Sequence, residues 1–240
     1  MNLAESFTGT AEACGQRFRK WDDVWAADRK LGDPLGNSAT LLRPVAEDGA
    51  EDLTARLDVF FAETGSPWLL WSAWPTPDLS ALGYQDVGAP PLMVRRADAP
   101  RLEPPPELRI EEVRDETGLA DFERTFIAGY PLHGLDDGGW QLFGPGAIGG
   151  PMRFWVGYTE DEPVTVATSC AQSGVVGVYY VATMESARGK GYGAAITDVA
   201  ARCEPSRPAL LQSSDLGRPV YERLGFKEVA RYHLWLKSGK

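Results

Sequence analysis

The sequence predicts a mixed α/β fold of the α+β kind, with a largely antiparallel sheet flanked by helices. Three features support this prediction: the order of strands and helices over residues 109–237, a glycine-rich loop at residues 188–193, and a repeated strand pattern in the first hundred residues. Strands followed by a βαβα unit and a closing strand are typical of a mixed sheet with helices packed on its faces.

The C-terminal region opens with clear strand and helix patterns. LRIEEV (108–113) is predicted as a strand and ETGLADFERTFIAGY (116–130) as a helix. RFWVGYTEDEPVTVATSCAQ (153–172) predicts a hairpin that turns at residues 160–163, and VVGVYYVAT (175–183) predicts the next strand. The intervening residues 131–151 are rich in glycine, and loops of that length inside a domain are usually functional.

The rest of the region continues the alternation after the glycine loop. A helix is predicted over residues 192–202, and PALLQSS (208–214) is predicted as a short buried strand. GRPVYERLG (217–225) predicts a short helix, because proline stands near its start and glycine at its end. FKEVARYHLWLK (226–237) is predicted to close the fold as a strand or a hairpin.

A proline-rich segment provides the predicted domain boundary. ADAPRLEPPPELR (97–109) favours extended polyproline geometry over helix or sheet, because proline fixes φ and lacks an N–H donor. We therefore expect an N-terminal lobe at 1–96, a linker at 97–108 and a C-terminal domain at 109–240.

The N-terminal lobe repeats part of the C-terminal domain. PWLLWS (67–72) matches PALLQS (208–213) at an offset of 141, and PLMVRR (91–96) matches HLWLKS (233–238) at an offset of 142. Leu82-Gly83-Tyr84 matches Leu224-Gly225-Phe226 in the same way. These matches predict that residues 37–96 repeat the half-fold of residues 178–237. The alternative is two unrelated α/β segments with similar strand patterns.

The repeat places an acidic stretch opposite the glycine loop. Residues 47–52 (EDGAED) align with residues 188–193 (RGKGYG), so four carboxylates stand where the second copy has basic residues and glycines. Carboxylates repel an anionic ligand. The first copy is therefore predicted to be structural.

Composition narrows the partners of the chain. It has 240 residues, a formal net charge of −10, three scattered cysteines and two histidines. These counts disfavour nucleic acid as a partner, a disulfide framework and a metal site, and they favour a reducing, cytoplasmic compartment. No stretch approaches the roughly 18 apolar residues of a membrane span, and the N-terminal residues lack a signal-peptide pattern, so we expect no membrane association.

The segment ESARGKGYGAAITD (185–198) carries the sharpest chemical signal. A P-loop needs Ser or Thr after its lysine, but Gly191 follows Lys190; a dinucleotide fingerprint needs a third glycine where Ile196 stands. The segment fits a third pattern instead: Arg or Gln, then Gly three residues later, then Gly or Ala five residues later. Arg188, Gly191 and Gly193 meet this pattern. Amides 189–194 at a helix start favour a phosphate. The alternative is a tight strand-to-helix turn without a ligand.

On these residues, the C-terminal part resembles the GNAT family, the GCN5-related N-acetyltransferases. The loop follows the strand VYYVAT and opens an amphipathic helix, and about thirty residues later SSDLGRPVYERLGF resembles the second signature of the family. The resemblance covers residues 109–237 and reaches the N-terminal lobe through the repeat. It implies a sheet with a splayed strand pair, acetyl-CoA as cosubstrate, and residues 188–193 as the loop for its pyrophosphate.

The resemblance also implies the site residues. Backbone pairing with the pantetheine arm falls on Val181, Ala182 and Thr183. The loop contacts to the cofactor are Arg188, Gly189, Lys190, Gly191, Tyr192, Gly193 and Ala194, and the second signature adds Ser214 and Gly217. Ser214 replaces the frequent asparagine of the family and has a shorter reach. Tyr221 matches the tyrosine near the cofactor sulfur, where it would donate to the departing thiolate; the alternative is a tyrosine that only packs on its helix.

The general base and the acceptor are less defined by the sequence. The strand before the loop carries no acid, only Tyr179 and Tyr180, which leaves His133, Asp136, Asp137, Asp215 or a water chain as candidates for the base. An aromatic and acidic pocket suits an ammonium group. Its candidate members are Tyr130, His133, Asp136, Asp137 and Trp140, and the alternative is a solvated, mobile loop.

The sequence thus predicts an acyl-CoA-dependent N-acetyltransferase that acts on a primary amine, in a small molecule or a peptide, by direct attack in a ternary complex. The alternative hypothesis is a protein without catalytic turnover, either a sensor that binds acyl-CoA or an interaction scaffold. The tandem arrangement favours a monomer, with the N-terminal lobe on the face that other family members use to dimerise.

Overall fold

The computed structural model describes residues 1–130, 132 and 142–239. It divides into two compact units, each with its own sheet. The first comprises residues 3–90 and the segment from Ala230 onward, and the second comprises Asn2 and Pro91–Val229. Among the helices described, none is long and apolar enough to cross a membrane.

Eighteen helices and strands are described. The first eight are α1 (Asn2–Ala13), β1 (Arg17–Lys20), β2 (Val24–Asp28), β3 (Ser38–Leu41), α2 (Glu47–Ala62), β4 (Trp68–Ser72), β5 (Gln85–Gly88) and β6 (Pro91–Arg95). The other ten are β7 (Arg109–Glu112), α3 (Glu116–Gly129), β8 (Met152–Thr159), β9 (Glu162–Gln172), β10 (Val175–Thr183), α4 (Tyr192–Ala201), β11 (Ala209–Gln212), α5 (Arg218–Arg223), β12 (Lys227–Arg231) and β13 (His233–Lys237).

The first unit is a six-stranded sheet in the order β1-β2-β3-β4-β13-β5. The pair β3 and β4 is parallel, and the other pairs are antiparallel. Helix α2 connects the parallel pair and buries Leu53, Leu57 and Phe61 in the core of this unit. The rings of Phe61 and Trp68 stack with centroids 4.3 Å apart, which fixes α2 on the sheet.

The second unit is a seven-stranded sheet in the order β12-β6-β11-β10-β9-β8-β7. Here β10 and β11 form the parallel pair. Helix α3 packs on the sheet face that carries Phe154, and α4 packs on the face that carries the adjacent residue Trp155. Because neighbouring strand residues point to opposite faces, the two helices cover the sheet on both sides. This arrangement confirms the predicted mixed α/β fold with a largely antiparallel sheet.

The two sheets exchange strands relative to the predicted domain boundaries. Strand β6 comes from the predicted N-terminal lobe, yet it pairs with β11 in the second unit; β13 comes from the end of the chain, yet it pairs with β4 and β5 in the first. The division into 1–96 and 109–240 is therefore wrong at both ends. The predicted closing hairpin at 226–237 is wrong for the same reason, because β12 and β13 join different sheets.

The exchange preserves the register of the internal repeat. Trp68 on β4 lies opposite Lys237 on β13, and Ala209 on β11 lies opposite Arg95 on β6. Residue 68 plus 141 gives 209, and residue 95 plus 142 gives 237, so the repeat offsets relate the two pairs. The predicted half-repeat is confirmed, and the alternative of two unrelated segments is not needed.

The acidic stretch of the first copy lies in a helix and not in a loop. Helix α2 begins at Glu47, and Glu47 and Asp48 occupy its first turn. Carboxylates there interact favourably with the positive end of the helix dipole. The first copy therefore compensates its helix N-terminus with its own side chains.

The proline-rich segment is part of the second unit and not a free linker. Leu108 is buried in a small cluster with Ala187, Tyr192 and Ala195. At its other end, the carbonyl of Pro100 accepts hydrogen bonds from Arg95 at 2.9 Å and from Arg202 at 2.8 Å. Side chains thus satisfy a backbone that proline keeps out of the sheet.

A buried ion pair joins the exchanged strand β6 to helix α4. Arg95 Nη2 donates to Asp198 Oδ1 at 2.6 Å, and each side chain is 2% exposed. Removal of one member of a buried pair leaves the other charge uncompensated. We expect Asp198→Ala to lower the free energy of unfolding by about 3–5 kcal/mol, measured by urea denaturation.

The matched control for this prediction is the exposed pair Arg96–Asp98 in the same part of the chain, whose side chains are 84% and 68% exposed. Asp98→Ala should leave the unfolding midpoint nearly unchanged, because exposed ion pairs contribute little. Equal midpoints for the two variants would contradict the assigned role of the buried pair.

Candidate functional site

The glycine loop connects the end of β10 to the start of α4. Gly189 and Gly191 have φ angles of +79° and +84°, which side-chain-bearing residues rarely adopt. Neither position is crowded, since the nearest atom to a Cβ at residue 191 would be Pro105 Cγ at 3.8 Å. These two glycines are therefore required for conformation.

Gly193 is required for a different reason. A Cβ at residue 193 would lie 3.0 Å from Thr183 Oγ1, at the end of β10. The Thr183 hydroxyl is itself held by the Thr165 hydroxyl at 2.8 Å. The missing side chain thus allows the first turn of α4 to approach the last residue of β10.

The loop presents a run of backbone donors without acceptors. Within the described part of the chain, no group accepts a hydrogen bond from the amides of residues 189–194; the next amide, of Ala195, donates to the Gly191 carbonyl at 3.0 Å. The first amides of a helix have no intrahelical partner, and the helix dipole there favours negative charge. The predicted anion-binding loop therefore has the required donors.

Arg188 has a structural role that the sequence did not indicate. Its guanidinium donates to the carbonyls of Gly129 at 2.9 Å and Thr183 at 3.2 Å. A Cβ at residue 129 would lie 3.1 Å from the Thr183 carbonyl carbon, so the end of α3 approaches β10 closely. Arg188 thus connects α3, β10 and the loop.

The ring of Tyr192 is buried, so only its amide is available to a ligand. The side chain is 4% exposed, and its hydroxyl donates to Glu107 Oε1 at 2.9 Å. Burial and this hydrogen bond raise the pKa of Tyr192. Lys190 is exposed, with Nζ 5.9 Å from the centroid of the Tyr192 ring.

The strands diverge where the resemblance implies a splayed pair. Strand β11 pairs with β10 only as far as Val178, although β10 continues to Thr183. On the other side, the register with β9 is interrupted between Tyr179 and Ala182, and Tyr180 has a φ of +50°. Val181 therefore has no register partner on either neighbouring strand.

Tyr221 lies on α5, which follows β11. Its ring packs edge-on against Phe226, with centroids 6.2 Å apart. Burial, with the phenol of Tyr130 nearby, raises the pKa of Tyr221 to about 12, so the hydroxyl is protonated at neutral pH. Among the residues described, none forms a hydrogen bond with this hydroxyl, which leaves it available as a donor.

Ser214 and Gly217 shape the start of α5. Ser214 Oγ accepts from the Gly217 amide at 3.0 Å, a local side-chain-to-backbone bond typical of turns. A Cβ at residue 217 would lie 3.2 Å from Ser214 Oγ and 3.5 Å from Tyr221 Cε2. Both residues thereby orient the segment that carries Tyr221.

Comparison with known families shows what this arrangement is similar to. Residues 150–228 match the family model described as Acetyltransferase (GNAT) domain. This part of the second unit is therefore similar to a GNAT domain. The match includes the glycine loop and the segment of Tyr221. A comparison with curated proteins gives no match.

Solved structures share the fold of the whole chain. A GCN5-related N-acetyltransferase from Kribbella flavida is 19% identical with a TM-score of 0.69, over 99% of this chain and 96% of that one. An acetyltransferase of the GNAT family from Novosphingobium aromaticivorans is 17% identical with a TM-score of 0.63, over 100% and 99%. A tandem GNAT protein from the clavulanic acid biosynthesis pathway is 12% identical with a TM-score of 0.54, over 89% and 77%.

An aromatic cluster supports the second unit beside the strand bulge. Phe126 stacks on Tyr130 and contacts Tyr180 edge-on, with centroids 5.4 and 5.3 Å apart. Phe143 contacts Tyr180 from another side at 5.3 Å. Of the predicted acceptor residues, Tyr130 thus lies near Tyr221, while His133, Asp136, Asp137 and Trp140 lie outside the described residues.

The side chains of both tyrosines of β10 make contacts within the second unit. The Tyr179 hydroxyl donates to Asn2 Oδ1 at 2.5 Å in a buried environment, and Tyr180 belongs to the aromatic cluster. Asp215 is exposed, in the segment that precedes α5. As a base, Asp215 is more accessible than either tyrosine.

Glu123 is a buried residue of the site region that the sequence reasoning missed. It lies on α3, is 3% exposed, and accepts hydrogen bonds from the amides of Leu142 and Phe143, both at 3.0 Å. The signal was available, because a carboxylate on the apolar face of a predicted helix needs a partner.

The role of Arg188 is tested by its effect on stability without ligand. We expect Arg188→Ala to lower the free energy of unfolding by about 1–2 kcal/mol, because two carbonyls lose a charged donor. Lys190→Ala is the matched control in the same loop and should leave the thermal midpoint unchanged. If Arg188→Ala unfolds at the wild-type temperature, its side chain does not hold α3 to β10.

Proposed function

We propose that this protein is an N-acetyltransferase that transfers an acetyl group from acetyl-CoA to a primary amine by direct attack in a ternary complex. One observation carries the proposal: β10 loses its pairing partner before it ends, and a run of amides without acceptors follows it. Strand β10 loses β11 after Val178, and the amides of residues 189–194 follow at its end.

The residues fit the chemistry of acetyl-CoA. Six amides without acceptors, together with Lys190, suit a pyrophosphate. The unpaired edge of β10 beyond Val178 suits an extended arm with amide groups, since such an arm can hydrogen-bond to a strand edge. We assign the arm to Val181, Ala182 and Thr183, with Ser214 and Gly217 on the facing segment.

Tyr221 is the proposed catalytic residue. Bound acetyl-CoA would supply a thioester whose carbonyl carbon the amine nitrogen attacks, with a thiolate as leaving group. Burial raises the pKa of Tyr221 to about 12, so its hydroxyl keeps its proton at neutral pH and is able to donate a hydrogen bond. Tyr221 therefore acts by hydrogen bonding to the developing thiolate, and the proton released by the amine completes the thiol.

The amine must lose that proton before or during attack. No described residue of β10 carries a carboxylate, so water or Asp215 accepts the proton of the amine. The acceptor side lies near Tyr130, whose ring stacks on Phe126. An aromatic face there suits a cationic amine before it is deprotonated.

A sensor or scaffold with a degenerate GNAT fold is the second candidate. The observation that favours it is the first unit, where Glu47 and Asp48 compensate the helix that would otherwise hold an anion. One half of this chain thus keeps the fold without the loop. A sensor would bind acetyl-CoA without turnover, and a scaffold would not bind it.

The binding prediction is tested by thermal unfolding with acetyl-CoA, NAD and ATP. Acetyl-CoA at about 100 times its dissociation constant should stabilise the protein by roughly 2.7 kcal/mol, and the other two ligands should not. Gly191→Glu should abolish the shift, because it forces a carboxylate into the loop. No shift with wild-type protein would favour the scaffold.

The catalytic prediction is tested by Tyr221→Phe, with thiol release measured over a panel of amines. We expect kcat to fall roughly 10- to 100-fold, the value of one hydrogen bond to a charged group, with little change in affinity for acetyl-CoA. The ratio of wild-type to variant rates should stay constant from pH 7 to 10, since the Tyr221 pKa is about 12. An unchanged kcat would show that Tyr221 takes no part in the chemical step.

A further inference from the structure

The proline-rich segment lies directly against the glycine loop. Leu108 packs with Ala187 and Tyr192, from the two sides of that loop. Pro105 is the nearest neighbour of a Cβ built at Gly191, at 3.8 Å. The segment 105–108, which the sequence predicts as part of a linker, thus lies beside the loop whose six amides have no acceptor.

One hydrogen bond connects the segment 105–108 to the middle of the glycine loop. Tyr192 stands between Gly191 and Gly193, and its hydroxyl donates to Glu107 Oε1 at 2.9 Å. Glycine neighbours leave the backbone conformationally free. A buried ring with a fixed hydroxyl removes that freedom at residue 192, so the bond restrains the direction of the adjacent amides.

The same carboxylate brings negative charge to a loop suited to an anion. Hydrogen bonds from the backbone amide of Glu107 and from the Tyr192 hydroxyl lower the pKa of Glu107, and the positive charge of Lys190 adds to this effect, so the carboxyl is ionised at neutral pH. Ionised Glu107 attracts Lys190 and repels a phosphate. The hydrogen bond of Glu107 therefore favours binding of an anionic ligand, whereas its negative charge disfavours it.

We propose that Glu107 is a positioning residue of the cofactor site: it holds Tyr192, and through it the loop amides, while it partly neutralises Lys190. This inference rests on the proposed binding of acetyl-CoA. It assigns the proline-rich segment to the ligand site and gives Tyr192 a side-chain role distinct from the contact of its amide.

Two variants separate the two effects, with acetyl-CoA affinity measured by calorimetry at low salt. Tyr192→Phe keeps the charge and loses the bond, so the dissociation constant should rise about 5- to 10-fold. Glu107→Gln keeps an acceptor oxygen and loses the charge, so the dissociation constant should fall about 2- to 5-fold. That gain should disappear at about 1 M salt, where charges are screened.

Two controls match these changes. Glu103→Gln removes an exposed carboxylate from the same segment. Tyr158→Phe removes a hydroxyl that donates to Asp121 on another part of the unit. Neither should alter the affinity, and thermal unfolding of all four variants checks that they are folded.

The amides of ligand-free protein give a second readout. Tyr192→Phe should shift the NMR amide resonances of Gly189, Gly191 and Gly193, whereas Tyr158→Phe should not. Unmoved glycine resonances, or an unchanged affinity in Tyr192→Phe, would overturn the inference. Wild-type protein that fails to bind acetyl-CoA would instead overturn the proposed function, and the resonances would still decide whether Glu107 and Tyr192 position the loop.

Discussion

The end of pairing between β10 and β11 at Val178 is the constraint on which the rest of the site depends. Five more residues of β10 extend beyond that point, and a bulge at Tyr180 and Val181 interrupts the pairing with β9, which resumes at Ala182. The unpaired edge needs support from elsewhere. Arg188 and the close approach of Gly129 to Thr183 provide it by fastening α3 to the end of the strand.

The two halves of the chain solve the same problem at a helix N-terminus in different ways. In the second unit, α4 begins at Tyr192 between Gly191 and Gly193, and the amides of its first turn have no acceptor among the described residues. In the first unit, α2 begins with Glu47 and Asp48, which compensate the helix dipole internally. The same fold thus accommodates acidic side chains at one helix N-terminus and unpaired amides at the other, and the two halves differ in the residues that precede the helix.

The exchange of β6 and β13 gives each sheet one strand from the other half of the sequence. Strand β6 brings Arg95 into the second unit, where it pairs with buried Asp198 of α4. Strand β13 brings Lys237 to the first unit, where its ammonium bonds to Asp58 at 3.2 Å and to the Leu82 carbonyl at 2.7 Å. A charged residue on each exchanged strand is thus matched to a specific partner in the sheet that it joins.

The sequence by itself determined the helix and strand types between residues 108 and 225, the repeat and the loop, because hydrophobic periodicity, glycine spacing and helix end signals are local. It could not determine which sheet β6 and β13 join, since either copy of a repeat satisfies the same register. Nor could it show that Glu107 meets Tyr192, or that Arg188 bonds to backbone carbonyls. Those contacts join residues far apart in the chain, and only tertiary packing decides which of several possible partners a side chain meets.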